Sequence, residues 1–395
     1  MKIYIVVNFL VRTKTRAATT FWLITILHLT VTWYVVNHRS NRKSTSFNLF
    51  IQTSPYMISK NMTVTEQPTT SYDKLLQQIR LGMVKRELNV VSLTNETIYP
   101  ANRIGNYIFS NPNLCEDVPS IDFIIIVQTA TTHFERRQRI RATFANTSLF
   151  YPAQIRTAFL LGKANDSAIT EKLWQEHRTY NDTVMGDFID DYYNLTLKGV
   201  MGLRWVKDHC PNAAFVLRID DDVVINMFTL VYLFLPQMKT KKRTIVCEVH
   251  ANNTLSVARN GRWKVDSHIF PNRTTYPYPY CAGYTVLLTP DLIDELYQAA
   301  KVTPFFWIDD NYLFGLLPFV IGNINFTNYE LYRFLSPLYK NAINCTLPQT
   351  WRCPLYTILI KDNEFWPLWY NIKSMYSTIN WSREATNQGG RQSKI

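Results

Sequence analysis

The chain has 395 residues, and its 47% hydrophobic and 14% aromatic content is that of a globular protein with a substantial core. Its 42 Lys and Arg outweigh 30 Asp and Glu for a net charge of +12. That balance does not make a nucleic-acid binder: part of it flanks an apolar N-terminal run, part lies in the polar loop 239–243, and no RNA- or DNA-binding motif accompanies it.

Residues 17–36 carry no formal charge and would span about 30 Å as a helix, enough to cross a bilayer. Trp22, Trp33 and Tyr34 stand near its ends, as interfacial anchors do. The chain continues Asn37-His38-Arg39-Ser40 with no small-x-small cleavage site, so an uncleaved signal-anchor is expected. Lys2, Arg12, Lys14 and Arg16 precede the span against Arg39, Arg42 and Lys43 behind it, which leans towards a cytoplasmic tail over 1–16 and a luminal body. All six cysteines lie beyond the span and none forms a Cys-x-x-Cys pair, a pattern suited to disulfides rather than zinc. Only Cys345 and Cys353 are close enough in sequence to suggest a local closure. Acceptor sequons such as those at Asn61, Asn95, Asn146, Asn165, Asn272 and Asn380 are compatible with a luminal body.

Residues 37–117 are rich in Ser, Thr, Asn, Gln and Lys and read as a stem. The body is expected over 118–382, followed by a polar tail over 383–395. Within the body, 123–127 reads as a buried strand, 135–144 as a charged helix, 159–161 as a strand and 168–178 as a helix. Leu197, Val200, Met201 and Trp205 recur at helical spacing. The apolar run 213–219 reads as a strand, 244–246 as another, and Thr289-Pro290-Asp291 as a helix start with Thr289 at the N-cap. Strands alternating with helices predict an α/β fold around a largely parallel sheet.

Asp220, Asp221 and Asp222 follow the 213–219 strand directly. Adjacent carboxylates repel one another, and at the carboxyl end of a buried strand they fit a hard divalent cation with a phosphorylated ligand. An EF-hand reading fails, since the sixth and twelfth positions counted from Asp220 are Ile225 and Val231. A solvated acidic turn is the bland alternative.

Five blocks taken together resemble the β1,3-galactosyltransferase family of type II Golgi membrane enzymes, which includes β1,3-N-acetylglucosaminyltransferases and Fringe relatives. They are Glu135 to Phe144, Asp187 to Lys198, Cys210 to Val223, Tyr278 to Gly283, and Trp307 to Gly315. The resemblance implies a GT-A type fold, a UDP-sugar donor such as UDP-galactose, Mn²⁺, inversion at the anomeric carbon and a glycan acceptor on a glycolipid or glycoprotein. It implies Asp222 with Asp220 as metal ligands, Asp221 shaping the site, and Asp310 as the base, with Asp309 the alternative. Arg137 and Arg141, four apart on one helix face, are expected to reach the diphosphate or uridine, and Lys198 to pair with a carboxylate of the site. Phe144, Tyr284 and Asn311 depart from the family pattern and are expected near the acceptor side, and no His follows His268 as a late metal ligand. An N-acetylglucosaminyltransferase and an inactive glycan-binding relative stay open as alternatives, as does the oligomeric state.

Overall fold

A computed structural model describes residues 98–328 apart from 268 and 271, then 339–347 and 356–377. The signal-anchor expected at 17–36, the tail and most of the stem lie outside the described residues, among which no helix is long and apolar enough to cross a membrane.

An eight-stranded sheet forms the centre, in the order β1-β4-β3-β2-β5-β8-β7-β9. Its middle strands are β2 (Phe123–Gln128), β3 (Ile155–Lys163), β4 (Thr183–Ile189) and β5 (Val216–Asp220), all parallel. Phe123-Ile-Ile-Ile-Val is buried at every position, as a strand covered on both faces must be. β8 (Tyr280–Leu288) runs antiparallel to β5 and to β7 (Thr244–His250), and β9 (Asn325–Asn328) closes that edge parallel to β7. β1 (Tyr107–Phe109) closes the other edge antiparallel to β4. The sheet is therefore mixed, parallel in its centre.

The helices are α1 (Phe134–Ala142), α2 (Ser167–Tyr180), α3 (Leu195–His209), α4 (Ile293–Ala300) and α5 (Phe365–Ser377). α2 starts at Asp166, whose side chain accepts from the Ile169 N–H, and ends at Asn181 in the left-handed conformation. α3 is central: ten of its fifteen residues are buried, and Gly202 lets it settle on Leu160 and Ile126 of the sheet. Thr289 does not cap α4; a 3₁₀ turn over Pro290–Leu292 intervenes, and the Thr289 hydroxyl accepts from the Thr244 N–H instead.

The stem boundary at 117 moves back. From residue 98 the chain joins the folded body: Ile104 is buried, β1 enters the sheet and Cys115 is bonded to Cys210. Cys247–Cys281 ties β7 to β8. Cys345 is disulfide-bonded too, and Cys353 lies outside the described residues. A small two-stranded sheet pairs β6 (Val223–Ile225) with β10 (Thr357–Leu359), and the Ile360 N–H donates to the Asp222 carbonyl at 3.0 Å. The C-terminal segment is thereby laid beside the aspartates.

Candidate active site

The three aspartates meet three different fates. Asp220 ends β5 level with Gln128 of β2, and its carboxylate takes Arg218 Nη1 at 3.0 Å. Arg218 is an arginine inside an apolar strand, fully desolvated, and a buried cation of that kind needs anions around it. It finds Asp220, Asp309 at 2.8 Å, and the Gly283 carbonyl.

Asp221 turns inward. Its Oδ2 accepts from the Thr129 hydroxyl at 2.6 Å and meets His133 Nδ1 at 2.7 Å, while Oδ1 accepts from Arg136 at 2.9 Å. Burial would raise this carboxyl, yet these hydrogen bonds hold it down to about 2, so it is an internal anion.

Asp222 is left over. Its Oδ1 is buried without a hydrogen-bond partner, and Arg136 stands 3.9 Å from its other oxygen. Burial, then Asp220 and Asp221, push its carboxyl up to about 6. Among the described residues no group of three His, Cys, Asp or Glu side chains is arranged to hold a metal. An unsatisfied buried carboxylate oxygen beside a second partly exposed carboxylate still fits a hard cation whose remaining ligands come from phosphate and water. The Gln128 amide, beside Asp220, is likewise buried with neither atom partnered.

Asp309 and Asp310 begin a helical stretch that runs through a π turn at Tyr312–Leu316 to Ile321. The Asp310 carboxylate lies directly on the Cα of Gly283, where any Cβ would overlap it. Burial and then Asp309 raise Asp310. Burial raises Asp309 too, against its ion pair with Arg218. Since Arg218 pairs directly with Asp309 and favours its anion, Asp310 is the more basic carboxyl of the pair.

Arg137 and Arg141 are committed to carboxylates outside this site, and Arg137 meets its edge only through the Thr129 hydroxyl at 3.4 Å. Arg137 is fully buried, bidentate to Glu176, and donates to the Ala130 and Thr131 carbonyls; Arg141 is bidentate to Asp182 and also bonds Glu176. Another face of α1 turns to the aspartates instead. Arg136 reaches Asp221 and Asp362, while Arg139 reaches Asp362 at 2.7 Å. Together with His133 and Trp366 they line a cleft of about 730 Å³. Four arginines in Glu135-Arg-Arg-Gln-Arg-Ile-Arg present two faces, and only the fold decides which one meets the aspartates. A charged residue in a strand run was the available signal for Arg218. Lys198, fully buried on α3, pairs with Asp190 at 3.0 Å and donates to the Thr129 carbonyl at 2.7 Å, holding the strand ends that carry the site.

Residues 135–322 match the model of the Galactosyltransferase family. Over that stretch the chain is similar to the Galactosyltransferase family. Beta-1,3-galactosyltransferase 1 of Homo sapiens is 29% identical over 267 residues, covering 66% of this chain and 80% of that protein. Beta-1,3-galactosyltransferase 5 of Homo sapiens is 31% identical over 206 residues, covering 52% of this chain and 65% of that protein. The solved galactosyltransferase LgtC in complex with donor and acceptor sugar analogues aligns over 66% of this chain and 99% of its own at 11% identity, with a TM-score of 0.33, too weak a likeness to argue from.

The three departures from the family pattern take partners within the body. Phe144 is a core residue against Phe365 and Trp369. The Tyr284 hydroxyl donates to Glu248 at 3.0 Å, and buried Asn311 accepts from the Tyr278 hydroxyl at 2.8 Å.

Proposed function

We propose that the protein is a GT-A type, inverting β1,3-galactosyltransferase that moves galactose from UDP-galactose to a terminal sugar of a glycolipid or glycoprotein. Its setting is the Golgi membrane, with a single-pass type II anchor and a luminal body. The observation that carries this reading is the division of labour at one sheet end. Asp222 keeps an unsatisfied anionic oxygen, while Asp310, across the Arg218 cluster, keeps a proton-accepting carboxyl.

In this reading the acceptor hydroxyl attacks C1 of the sugar, the C1–O bond breaks with its electron pair leaving on UDP, and Asp310 takes the hydroxyl proton. A divalent cation, Mn²⁺ or Mg²⁺, held by Asp222 and Asp220 would supply Lewis-acid stabilisation of the departing diphosphate. Arg136 replaces Arg137 and Arg141 as the side chain assigned to phosphate, since its guanidinium already sits over the acidic cluster. Arg218 holds Asp309 as an anion and so keeps Asp310 the basic member of the pair.

The test is a UDP-release and product assay on the full-length protein with UDP-galactose and UDP-N-acetylglucosamine. Galactose transfer that needs divalent metal, retained UDP binding in Asp310→Asn with roughly 100-fold lower turnover, and lost metal-dependent UDP binding in Asp222→Asn are expected. N-acetylglucosamine transfer alone would replace the donor. UDP binding without transfer to any acceptor would replace the enzyme by a glycan-binding relative.

A further inference from the structure

Near the same sheet end lies a group of large aromatic side chains that the donor chemistry leaves unused. Tyr192 and Tyr193 follow β4 and are 40% and 58% exposed, and Trp263, from the excursion between β7 and β8, is 55% exposed. Trp307 lies against both tyrosines, with ring centroids 6.1 Å from Tyr192 and 5.0 Å from Tyr193. Trp263 Nε1 donates to the Tyr192 hydroxyl at 3.1 Å, and the Arg262 guanidinium stands 4.7 Å from the Tyr192 ring centroid.

Three segments distant in sequence thus build one aromatic surface, exposed at Tyr192, Tyr193 and Trp263 and half-buried at Trp307, and apolar area of that kind marks a binding site. Its position is held from below. The Thr196 hydroxyl in the first turn of α3 donates to the Phe306 carbonyl at 2.8 Å, locking the tyrosine turn to the segment that carries Trp307. Trp307 is three residues before Asp310, so their Cα atoms are within about 10 Å.

We infer that Tyr192, Tyr193, Trp263 and Trp307 form the acceptor platform, on which a sugar ring stacks by its apolar C–H face while Arg262 donates to its hydroxyls. A pyranose presents one face of C–H groups that suits an indole or phenol ring, as the rim of its hydroxyls suits a guanidinium fork. The inference rests on Asp310 as the base. The sugar whose hydroxyl faces Asp310 occupies the space beside that carboxylate, which leaves the platform to the next sugar. The acceptor is therefore an oligosaccharide of at least two units.

The experiment compares lactose and N-acetyllactosamine with the methyl β-glycosides of galactose and N-acetylglucosamine, using the full-length protein, Tyr193→Ala, Trp263→Ala and Tyr193→Phe. The disaccharides should have the lower KM. Each alanine variant should raise the disaccharide KM on the order of tenfold while moving monosaccharide kinetics under about twofold, and Tyr193→Phe should restore the disaccharide KM. UDP titration and thermal melting check that the variants are folded. Transfer with disaccharide KM unmoved by either alanine variant overturns the platform and leaves the transferase reading standing. If no transfer occurs at all, saturation-transfer NMR with the same disaccharides decides. Binding that Tyr193→Ala and Trp263→Ala weaken keeps the platform while the transferase reading falls, and absent or unaltered binding overturns the platform.

Discussion

Gly283→Ala is a one-methyl change aimed at the geometry of the proposed base. The new Cβ would fall inside the van der Waals envelope of the Asp310 carboxylate and 3.0 Å from Arg218 Nη1. Relief to an ordinary contact of roughly 3.5 Å requires the carboxylate to move by more than about 1 Å, because Gly283 lies within β8 and its backbone is held by the sheet. A misplacement of about 1 Å at a reacting group costs on the order of 100-fold in rate, or about 2.7 kcal/mol of transition-state stabilisation. The assay is steady-state transfer from UDP-galactose alongside UDP titration, so that chemistry and donor binding are read separately. We expect kcat to fall by about that factor with UDP affinity within about threefold of wild type. A folded Gly283→Ala protein with near wild-type kcat would refute the placement of Asp310 against β8 as the catalytic geometry.

Glu176→Gln should destabilise the body by roughly 3–5 kcal/mol in chemical denaturation, because it strips the buried Arg137 of its counter-ion and weakens Arg141. Burial tends to raise the Glu176 carboxyl, but Arg137 and Arg141 hold it below its ordinary value. Its contribution is therefore present above the ordinary glutamate range and lost as pH falls through the depressed folded value, an acid limb that Glu176→Gln should flatten. The raised Asp310 carboxyl makes kcat/KM rise with pH on a limb above the ordinary carboxylate range, since only its deprotonated form accepts the hydroxyl proton; Asp310→Asn should abolish that limb in a pH–rate profile. Cys247→Ser opens a disulfide across a 34-residue separation and should cost about 3.8 kcal/mol by loop-closure entropy, measured by urea titration under non-reducing conditions.

The sequence by itself determined the elements whose signal is local. The apolar run 123–127, the helical spacing of Leu197, Val200, Met201 and Trp205, and the strand feeding Asp220 all stand where pattern places them, because burial of a strand or a helix face demands that periodicity. The grouping of blocks that identifies the family was legible for the same reason, each block being contiguous. What only the tertiary structure decided is which partners meet. Arg136 and Arg137 are adjacent in sequence but about 100° apart around α1, so one joins the aspartates and the other is held against Glu176. Asp220, Asp221 and Asp222 read as three equal charges, yet Arg218 takes the first, Thr129, His133 and Arg136 take the second, and only Asp222 keeps a buried oxygen free. Long-range pairing also moved the start of the folded body: β1 is three residues long and too short to announce itself, and it exists because β4 offers it an edge. A charge has no fixed role until the fold sets its neighbours and its distance from water.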